Sequence, residues 1–569
     1  MEMSVFLSFR KKVSLAEISM FLLIFTSNIV MVTSILFIVG LGINYLNLII
    51  AFLLSVIIFL YKKSEIRFKI IEIGIALFIL MGAVFVSTIS YDHSWDGAAY
   101  HKTAVGLLKS GWNPIEMSAE EYNLVSKDNI YVHPNPIKWA ESYPKASWYY
   151  AGTVYYLTNN IESGKSYTLI FMFILFGLLY EYSRFKTKKR GIAFFVALVG
   201  ACHPTALFQM QSYYLDGLAG CILLALMIQL LALWEPNYSR RKEELYLSIF
   251  FLIVLGCNLK FSITCFVAVI CILYFFMYVW EYRREKAKCL QVFCFFGLSA
   301  SFSGFIIGMS PYLTNLVRYG DMLAGFSGMF DEKELEMQFG IEGLNRTGRA
   351  VASLFGKMSH GSYKSLQELI KLPFTFTKEE FVYYSFQDLK VSGFGFLFSG
   401  IFLVSLIILI IYVKKYLMHS ASEKLITLFL FSTLLEWLFL QGTYQFRYVP
   451  HLYGIVPLAI ILFYKSMYNK RTQLLFSIFA VLVVANCVPW FKIGYENIRT
   501  GLAYTQELKS MEDYNGTKRL EVAFWETSFS GIHYNLRDFG IQNYDFVDKS
   551  ELMEDSQIKA IMGFWIMYR

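Results

Sequence analysis

The sequence predicts an all-α polytopic membrane protein with extracytoplasmic loops and a small C-terminal α/β appendage. Three observations carry that class. Of 569 residues, 56% are hydrophobic and only 17% are charged, which is more apolar surface than a soluble fold can cover. Apolar runs long enough to span a bilayer recur along the chain. The basic residues between those runs fall on alternate connections.

Thirteen runs predict transmembrane helices, at about 19–41, 46–61, 70–90, 165–183, 191–208, 213–234, 245–258, 262–281, 290–309, 394–413, 424–441, 448–465 and 473–492. The first is too long and too deep in the chain for a cleaved signal peptide. Arg10, Lys11 and Lys12 precede it, which puts the N-terminus in the cytoplasm. Alternation then places every later basic cluster inside: "KKSEIRFK" at 62–69, "RFKTKKR" at 184–190, "SRRK" at 239–242, "RREKAK" at 283–288, "KK" at 414–415 and "NKR" at 469–471. The net charge of +8 is mostly this bias, and no motif implies nucleic acid. The eight cysteines lie in or beside the runs and read as packing groups, not as disulfides or metal ligands.

The chain divides into N-terminal helices at 1–69, a transmembrane core at 70–493 and an appendage at 494–569. The core carries two outer loops, 91–164 and 310–393. In the first, "SWDGAAYHKTAVGLLKS" at 94–110 predicts a helix along the membrane interface, capped by Ser94 or Asp92. Trp95, Ala98, Val105 and Leu108 form its apolar side, and Asp96, Tyr100 and Thr103 share another face. Gly97 marks a close approach, because glycine disfavours a helix interior.

In "CHPTALFQMQSYYLDGLAG" at 202–220, His203-Pro204 lies in the outer half of the fifth run, and Gln209, Gln211 and Ser212 form a turn. Asp216 lies one turn into the sixth run, where an acid is expensive and therefore a functional candidate. Short outer turns should lack basic residues, yet "GCNLKFS" carries Lys260 and "TYQFRYVP" carries Arg447. Each is either a snorkelling side chain or part of an anion site. In "MSPYLTNLVRYGDML", Pro311 ends the ninth run and Arg318 faces an anion or lipid headgroups. Within 310–393, "FDEKELEMQFG" and "SYKSLQELIKL" predict short helices of a cover.

The tail predicts strands at 519–526 and 544–548, a helix at 528–540 stopped by Gly540, a helix over "SELMEDSQIKA" and a last strand in "IMGFWIMY". Sequons stand at Asn345 and Asn515.

Together "WDGAAYH", "YYLDGL", "NLKFS" and "FRYVPHLYGIVP" resemble, in order and sidedness over roughly 70–465, the GT-C superfamily of membrane glycosyltransferases. The branch of protein O-mannosyltransferases and lipid A aminoarabinose transferases looks closest. The commonest pattern there has adjacent acids in the first loop; here Asp92 and Asp96 stand four apart. The resemblance implies an enzyme of the cell membrane that uses a polyprenyl-phosphate sugar donor and a glycan, lipid or protein acceptor. Such a donor is already activated, and no Gly-rich nucleotide loop occurs. Transfer needs a base and cations for the leaving phosphate. Asp96 is the expected base, with Asp92 next. Lys260 and Arg447 would hold the phosphate with help from Arg318. Asp216, His203 and Gln211, with Tyr100 and His101 of the first motif, would orient substrate. A divalent ion, magnesium or manganese, would need Asp96 and Asp216 to share it, and two carboxylates do not identify a metal. The competing classes are a transporter or flippase for a lipid-linked glycan, which predicts internal repeats and mid-membrane polar groups, and a lipid-linked polymer ligase or polymerase, in which basic residues dominate the site.

Overall fold

The computed structural model describes residues 13–61, 65–126, 134–324, 340–341, 343–361, 363–416, 420–512, 520–553, 559–561 and 566–568. The cluster at Arg10–Lys12, the helix expected over most of "FDEKELEMQFG" and the Asn515 sequon lie outside the described residues. Each of the thirteen apolar runs carries a helix: Leu15–Ile38, Tyr45–Leu60, Ile66–Thr88, Tyr167–Thr187, Arg190–Ala201, Asp216–Leu233, Lys242–Cys257, Phe261–Tyr282, Lys286–Ser301, Phe398–Tyr416, Ala421–Phe439, Ile455–Ser466 and Gln473–Glu512. Among the described residues, seven helices are long and apolar enough to cross a membrane by themselves. The others are shorter or carry charge.

The fold is an all-α bundle with a small C-terminal sheet. At one end, ion pairs tie connections to one another. Lys69 meets Glu17 at 3.1 Å and Glu72 at 2.8 Å, Arg240 meets Glu181 at 2.7 Å, Lys465 meets Glu423 at 3.6 Å, and Lys186 pairs with Glu235. At the other end Asp92, the 209–216 turn, Lys260 and Arg447 come together. Each end gathers only connections that the basic-residue alternation assigns to one side. A miscount by one run would have mixed them.

Several expectations change. The fifth helix stops at Ala201 instead of running to 208, and a separate turn of helix, Pro204–Gln209, follows. Pro204 has no N–H to continue the ladder, and the His203 ring caps the new start by accepting from the Ala206 N–H at 3.3 Å. The twelfth run enters its helix only at Ile455, after two 3₁₀ turns, Phe446–Tyr448 and Pro450–Gly454. The ninth run's helical course breaks at Ser310-Pro311, as expected, where Ser310 has non-helical backbone angles, and a further short helix follows at Thr314–Tyr319. Over "SYKSLQELIKL" only Leu366–Leu369 is helical. Asn345 caps the helix Arg346–Leu354 by accepting from the Gly348 N–H.

The segment expected along the interface is instead a buried element. A wide π-turn at Gly97–His101 leads into the helix Lys102–Ser110, and Ala98 through Leu108 are all buried. Ser94, not Asp92, accepts the Gly97 N–H as the cap. Gly97 is required by what presses on it: a Cβ there would lie 1.8 Å from Asp92 Oδ2. Thr103 leaves the Asp96 face and meets Ser530 Oγ at 2.9 Å.

That burial is possible because a charged network holds the segment from behind. Lys102 Nζ meets Glu162 Oε1 at 2.5 Å, and Lys165 pairs with Glu162 Oε2. The Asp92 N–H donates to the same carboxylate at 3.0 Å, and Asn535 Nδ2 donates at 2.8 Å. Every one of these groups is buried, so each charge persists only because it is paired.

The thirteenth helix runs to Glu512, well past the expected 492, so much of the region assigned to the appendage is helix. The sheet that follows has the order β2-β1-β4-β3, with β1 Leu520–Phe524, β2 Tyr544–Phe546, β3 Lys559–Ile561 and β4 Ile566–Tyr568. β1 and β2 are parallel, and β4 is antiparallel to both β1 and β3. The end of "SELMEDSQIKA" enters β3, and among the described residues its helix spans Lys549–Met553. The helix Ile532–Asp538 seats the appendage on the first outer loop. Gly531 N–H donates to Ala98 O at 2.8 Å, and Tyr534 packs where a Cβ on Gly106 would stand 2.1 Å from its ring. Asp538 accepts from the Tyr155 hydroxyl at 2.5 Å and from the Ile161 N–H at 2.6 Å.

Candidate active site

Asp216 opens the sixth helix, where the positive end of the helix dipole favours its charge. Two cations from distant turns meet it. Lys260 Nζ lies 2.9 Å from Oδ1, and Arg447 Nη1 lies 3.9 Å from Oδ2. Gln209 Nε2 donates to Oδ2 at 3.3 Å and to the Gln387 carbonyl at 3.1 Å, which ties the second outer loop to this corner. The Tyr448 ring is shared by both cations, with Lys260 Nζ 4.7 Å and the Arg447 guanidinium 4.8 Å from its centroid. Tyr214 takes the other side of Arg447 at 5.3 Å. These are not snorkelling side chains: Arg447 is buried, and the Lys260 side chain is only 23% exposed. Burial alone would lower the Lys260 ammonium, but the adjacent Asp216 charge holds it above its ordinary value.

Asp96 stands in the field of this pair. Its Oδ2 accepts from the Tyr100 hydroxyl at 2.8 Å, as the four-residue spacing predicts. Arg447 and Lys260 both act on it electrostatically, yet no cation among the described residues forms an ion pair with it. Burial pushes its carboxyl above the ordinary aspartate range, and Arg447 only partly offsets that. The start of a helix favours an ionised carboxylate, but here burial outweighs that effect.

The remaining expected site residues lie elsewhere. Asp92 is 1% exposed, and its two oxygens accept from the Ser94 N–H at 2.8 Å and the Tyr213 N–H at 2.9 Å. It joins two loops, with each oxygen accepting a backbone N–H. His203 is buried, with Nδ1 on the Ala206 N–H and Nε2 3.5 Å from Cys221 Sγ. Gln211 Nε2 donates to the Gly494 carbonyl and Gln211 Oε1 accepts from Asn497, so it anchors the thirteenth helix. His101 accepts from the Trp148 indole at 2.8 Å behind Tyr100; burial first, and then the Lys260 charge, push its ring down to about 3, so it is a neutral wall residue. Arg318 is spent on Glu141 at 3.1 Å and on the Pro114 and Ile115 carbonyls. It braces the two outer loops and does not join Lys260 and Arg447.

A metal does not fit this arrangement. Both Asp216 oxygens already face a cation or an amide N–H, where a divalent ion would be repelled. Among the described residues no three His, Cys, Asp or Glu side chains gather at a common point.

The second loop adds an acid that the sequence did not mark. Asp388 accepts from His360 Nε2 at 2.9 Å and meets Lys390 at 3.3 Å. Burial opposes its ionisation, but His360 first, then Arg447 and Lys390, hold its carboxyl below the usual range. Its charge reaches Asp96, Arg447 and Tyr214. A carboxylate in a hydrophilic loop carries no membrane cost that would make it stand out. The Gln209–Gln387 bond, next to it in the chain, ties this part of the loop to the site.

The chain is similar to ArnT from Cupriavidus metallidurans bound to undecaprenyl phosphate, at 10% identity and a TM-score of 0.47, over 89% of this chain and 98% of that one. It is also similar to the archaeal oligosaccharyltransferase AglB from Archaeoglobus fulgidus, in complex with an inhibitory peptide and a dolichol-phosphate. There the identity is 12% and the TM-score 0.41, over 83% of this chain and 64% of that one. The apo form of an Archaeoglobus fulgidus oligosaccharyltransferase gives 11% and 0.40, over 84% and 65%. No family model and no curated protein matches the sequence.

Proposed function

We propose that the protein is an integral membrane glycosyltransferase. It moves a sugar from a polyprenyl-phosphate carrier to a cell-envelope acceptor on the extracytoplasmic face. The observation that carries this reading is the convergence of Lys260 and Arg447 on one carboxylate and one tyrosine, within electrostatic reach of Asp96. Two cations share Asp216, which leaves one positive charge over until Asp96 is deprotonated, and Asp388 is already met by His360 and Lys390. The corner therefore welcomes an anion, and a lipid-linked phosphate reaches it from the membrane.

The reaction is an inverting displacement. Asp96 takes the proton from the acceptor hydroxyl, whose oxygen forms the new bond to the anomeric carbon. The bond from that carbon to the phosphate oxygen breaks on the opposite side, and its electron pair leaves with the phosphate. Lys260 and Arg447 stabilise the charge that develops there. Asp216 holds both cations in place before the donor arrives, so little reorganisation is needed at the moment of reaction.

Three measurements test the reading. Lys260→Ala and Arg447→Ala should each weaken use of a polyprenyl-phosphate sugar at least about tenfold, with the protein still monodisperse, because each removes a charge-assisted contact. Unchanged kinetics in both variants would remove the phosphate site. Second, no soluble nucleotide sugar should serve as direct donor; transfer from one by purified protein free of polyprenyl carrier would overturn the proposal. Third, single cysteines replacing Lys188 and Lys470 should be shielded from an impermeant thiol reagent in intact cells, while one replacing Thr500 should label. All three positions are exposed, so labelling at 188 and 470 with none at 500 would invert the assigned topology. Mass spectrometry of envelope glycans with and without the protein then reads out which sugar is lost.

A further inference from the structure

Around Asp96 the site is walled by aromatic rings. Tyr100, whose hydroxyl holds Asp96, packs edge-on against Trp139 with centroids 5.1 Å apart. Trp139 in turn meets Trp95 at 5.6 Å. On its other flank Tyr100 lies 5.8 Å from Tyr143, whose phenol feels the charges of Lys260 and Asp96. The wall thus runs from the two cations past Asp96 to the paired tryptophans.

Trp95 and Trp139 are half-buried, leaving part of each open. They are not a belt facing lipid. The Trp95 indole N–H donates to Glu526 Oε2 at 2.7 Å, and Glu526 belongs to the C-terminal appendage just after β1. A second appendage group, Ser528, donates to the same carboxylate at 3.2 Å and holds it in place. An indole anchored this way has a fixed plane. Fixed aromatic planes suit ligands that carry flat, weakly positive C–H faces, because the negative face of the ring attracts them. A pyranose ring has such a face, with hydroxyls around its edge. Asp96 and Glu526 supply acceptors for those hydroxyls, and their charge disfavours an anionic ligand.

We infer that the Trp95–Trp139 wall, completed by Glu526 of the appendage, is the acceptor subsite and that the acceptor is an uncharged glycan. The inference rests on the glycosyl-transfer reading. It gives the site a direction: lipid phosphate at Lys260 and Arg447, reacting hydroxyl at Asp96, acceptor sugar rings on the tryptophans. It also gives the appendage a part in recognition, since its removal would free the Trp95 ring.

The test uses the full-length protein in lipid nanodiscs. Binding of neutral tetrasaccharides (maltotetraose, mannotetraose and N-acetylchitotetraose) is followed by tryptophan fluorescence and calorimetry, and binding of undecaprenyl phosphate is measured beside it. At least one tetrasaccharide should bind. Trp139→Leu should weaken that binding about tenfold, the usual size of losing one central aromatic contact, while undecaprenyl phosphate binding stays unchanged. Trp139→Phe should restore most of the loss, because it returns an aromatic face at the same point. Glu526→Gln keeps a hydrogen-bond acceptor for Trp95 and should bind nearly as well, whereas Glu526→Leu should bind less. No binding by any tetrasaccharide, or equal binding to Trp139→Leu, overturns the glycan subsite. Retained phosphate binding in that case leaves the donor site standing. Failure of undecaprenyl phosphate to bind at all overturns the transferase reading itself.

Discussion

Asp96→Asn should lower turnover by roughly 100-fold or more, with the protein folded and donor binding retained, because it removes the group that takes the acceptor proton. Asparagine keeps the size and can still accept the Tyr100 hydroxyl, so the local structure has no reason to change. The pH dependence supplies a second readout. Burial raises the Asp96 carboxyl above its ordinary value of about 3.9. A base acts only when deprotonated, so activity should fall as pH drops through that raised value, and the acid limb should lie above the ordinary aspartate range. Arg447→Ala removes a charge that favours ionisation and should move the limb higher still. Asp92→Asn separates catalysis from structure. An amide oxygen replaces only one of two carboxylate acceptors, so either the Ser94 or the Tyr213 N–H is left unmet. The expected result is a lower unfolding temperature with near-normal turnover in the folded fraction. A fully active Asp96→Asn enzyme would refute the assignment, and loss of turnover confined to Asp92→Asn would transfer the role.

Glu162→Gln should be the most destabilising single change in the outer region. It leaves the Lys102 and Lys165 ammonium groups buried without an anion. Breaking a buried pair in this way typically costs about 3–5 kcal/mol, well beyond the loss of one hydrogen bond. Thermal unfolding in detergent should show a large drop in midpoint or loss of the monodisperse species. Lys288 and Glu285 form a pair of similar length at 2.6 Å, but about half of each side chain is exposed. Water replaces that contact, so Glu285→Gln should leave the midpoint unchanged. Equal behaviour of the two variants would mean that the Glu162 network is solvated and not structural. Combining Glu162→Gln with Lys165→Met should recover part of the loss, because one unpaired charge is removed with its partner.

Much of the architecture was legible from local properties. A run of apolar residues has to cross or pack wherever it sits, and a basic connection has to stay inside. Those rules act on each segment by itself, which is why each of the thirteen runs carries a helix, although the fifth, twelfth and thirteenth have other bounds than expected. The strands β1 and β2 were visible for the same reason. Asp216, Lys260 and Arg447 announced themselves because charge at membrane depth is costly and needs a partner. The four-residue spacing of Asp96 and Tyr100 fixed their shared face.

The choice of partner was another matter. Arg318 looks like Arg447 in sequence: each is a cation at an outer boundary. The fold gives one to Glu141 and the other to Asp216. Asp92 and Asp96 stand four apart in one motif, yet only Asp92 meets two backbone N–H groups. His203 and Gln211 became a cap and an anchor because the chain turns at Pro204 and the thirteenth helix passes beside Gly494. Glu162 finds Lys102 and Asn535 across 60 and 373 residues of chain, and Asp388 reaches Arg447 from a loop with no hydropathy signal. Hydropathy and charge bias are properties of a segment, and the sequence by itself determined what depends on them: the class, the helices and which connections gather at the same end of the bundle. Which charge meets which depends on how distant segments close around one another. In a low-dielectric interior that closure sets the energy of a charged group, so only the tertiary structure decided which partner each of these groups meets.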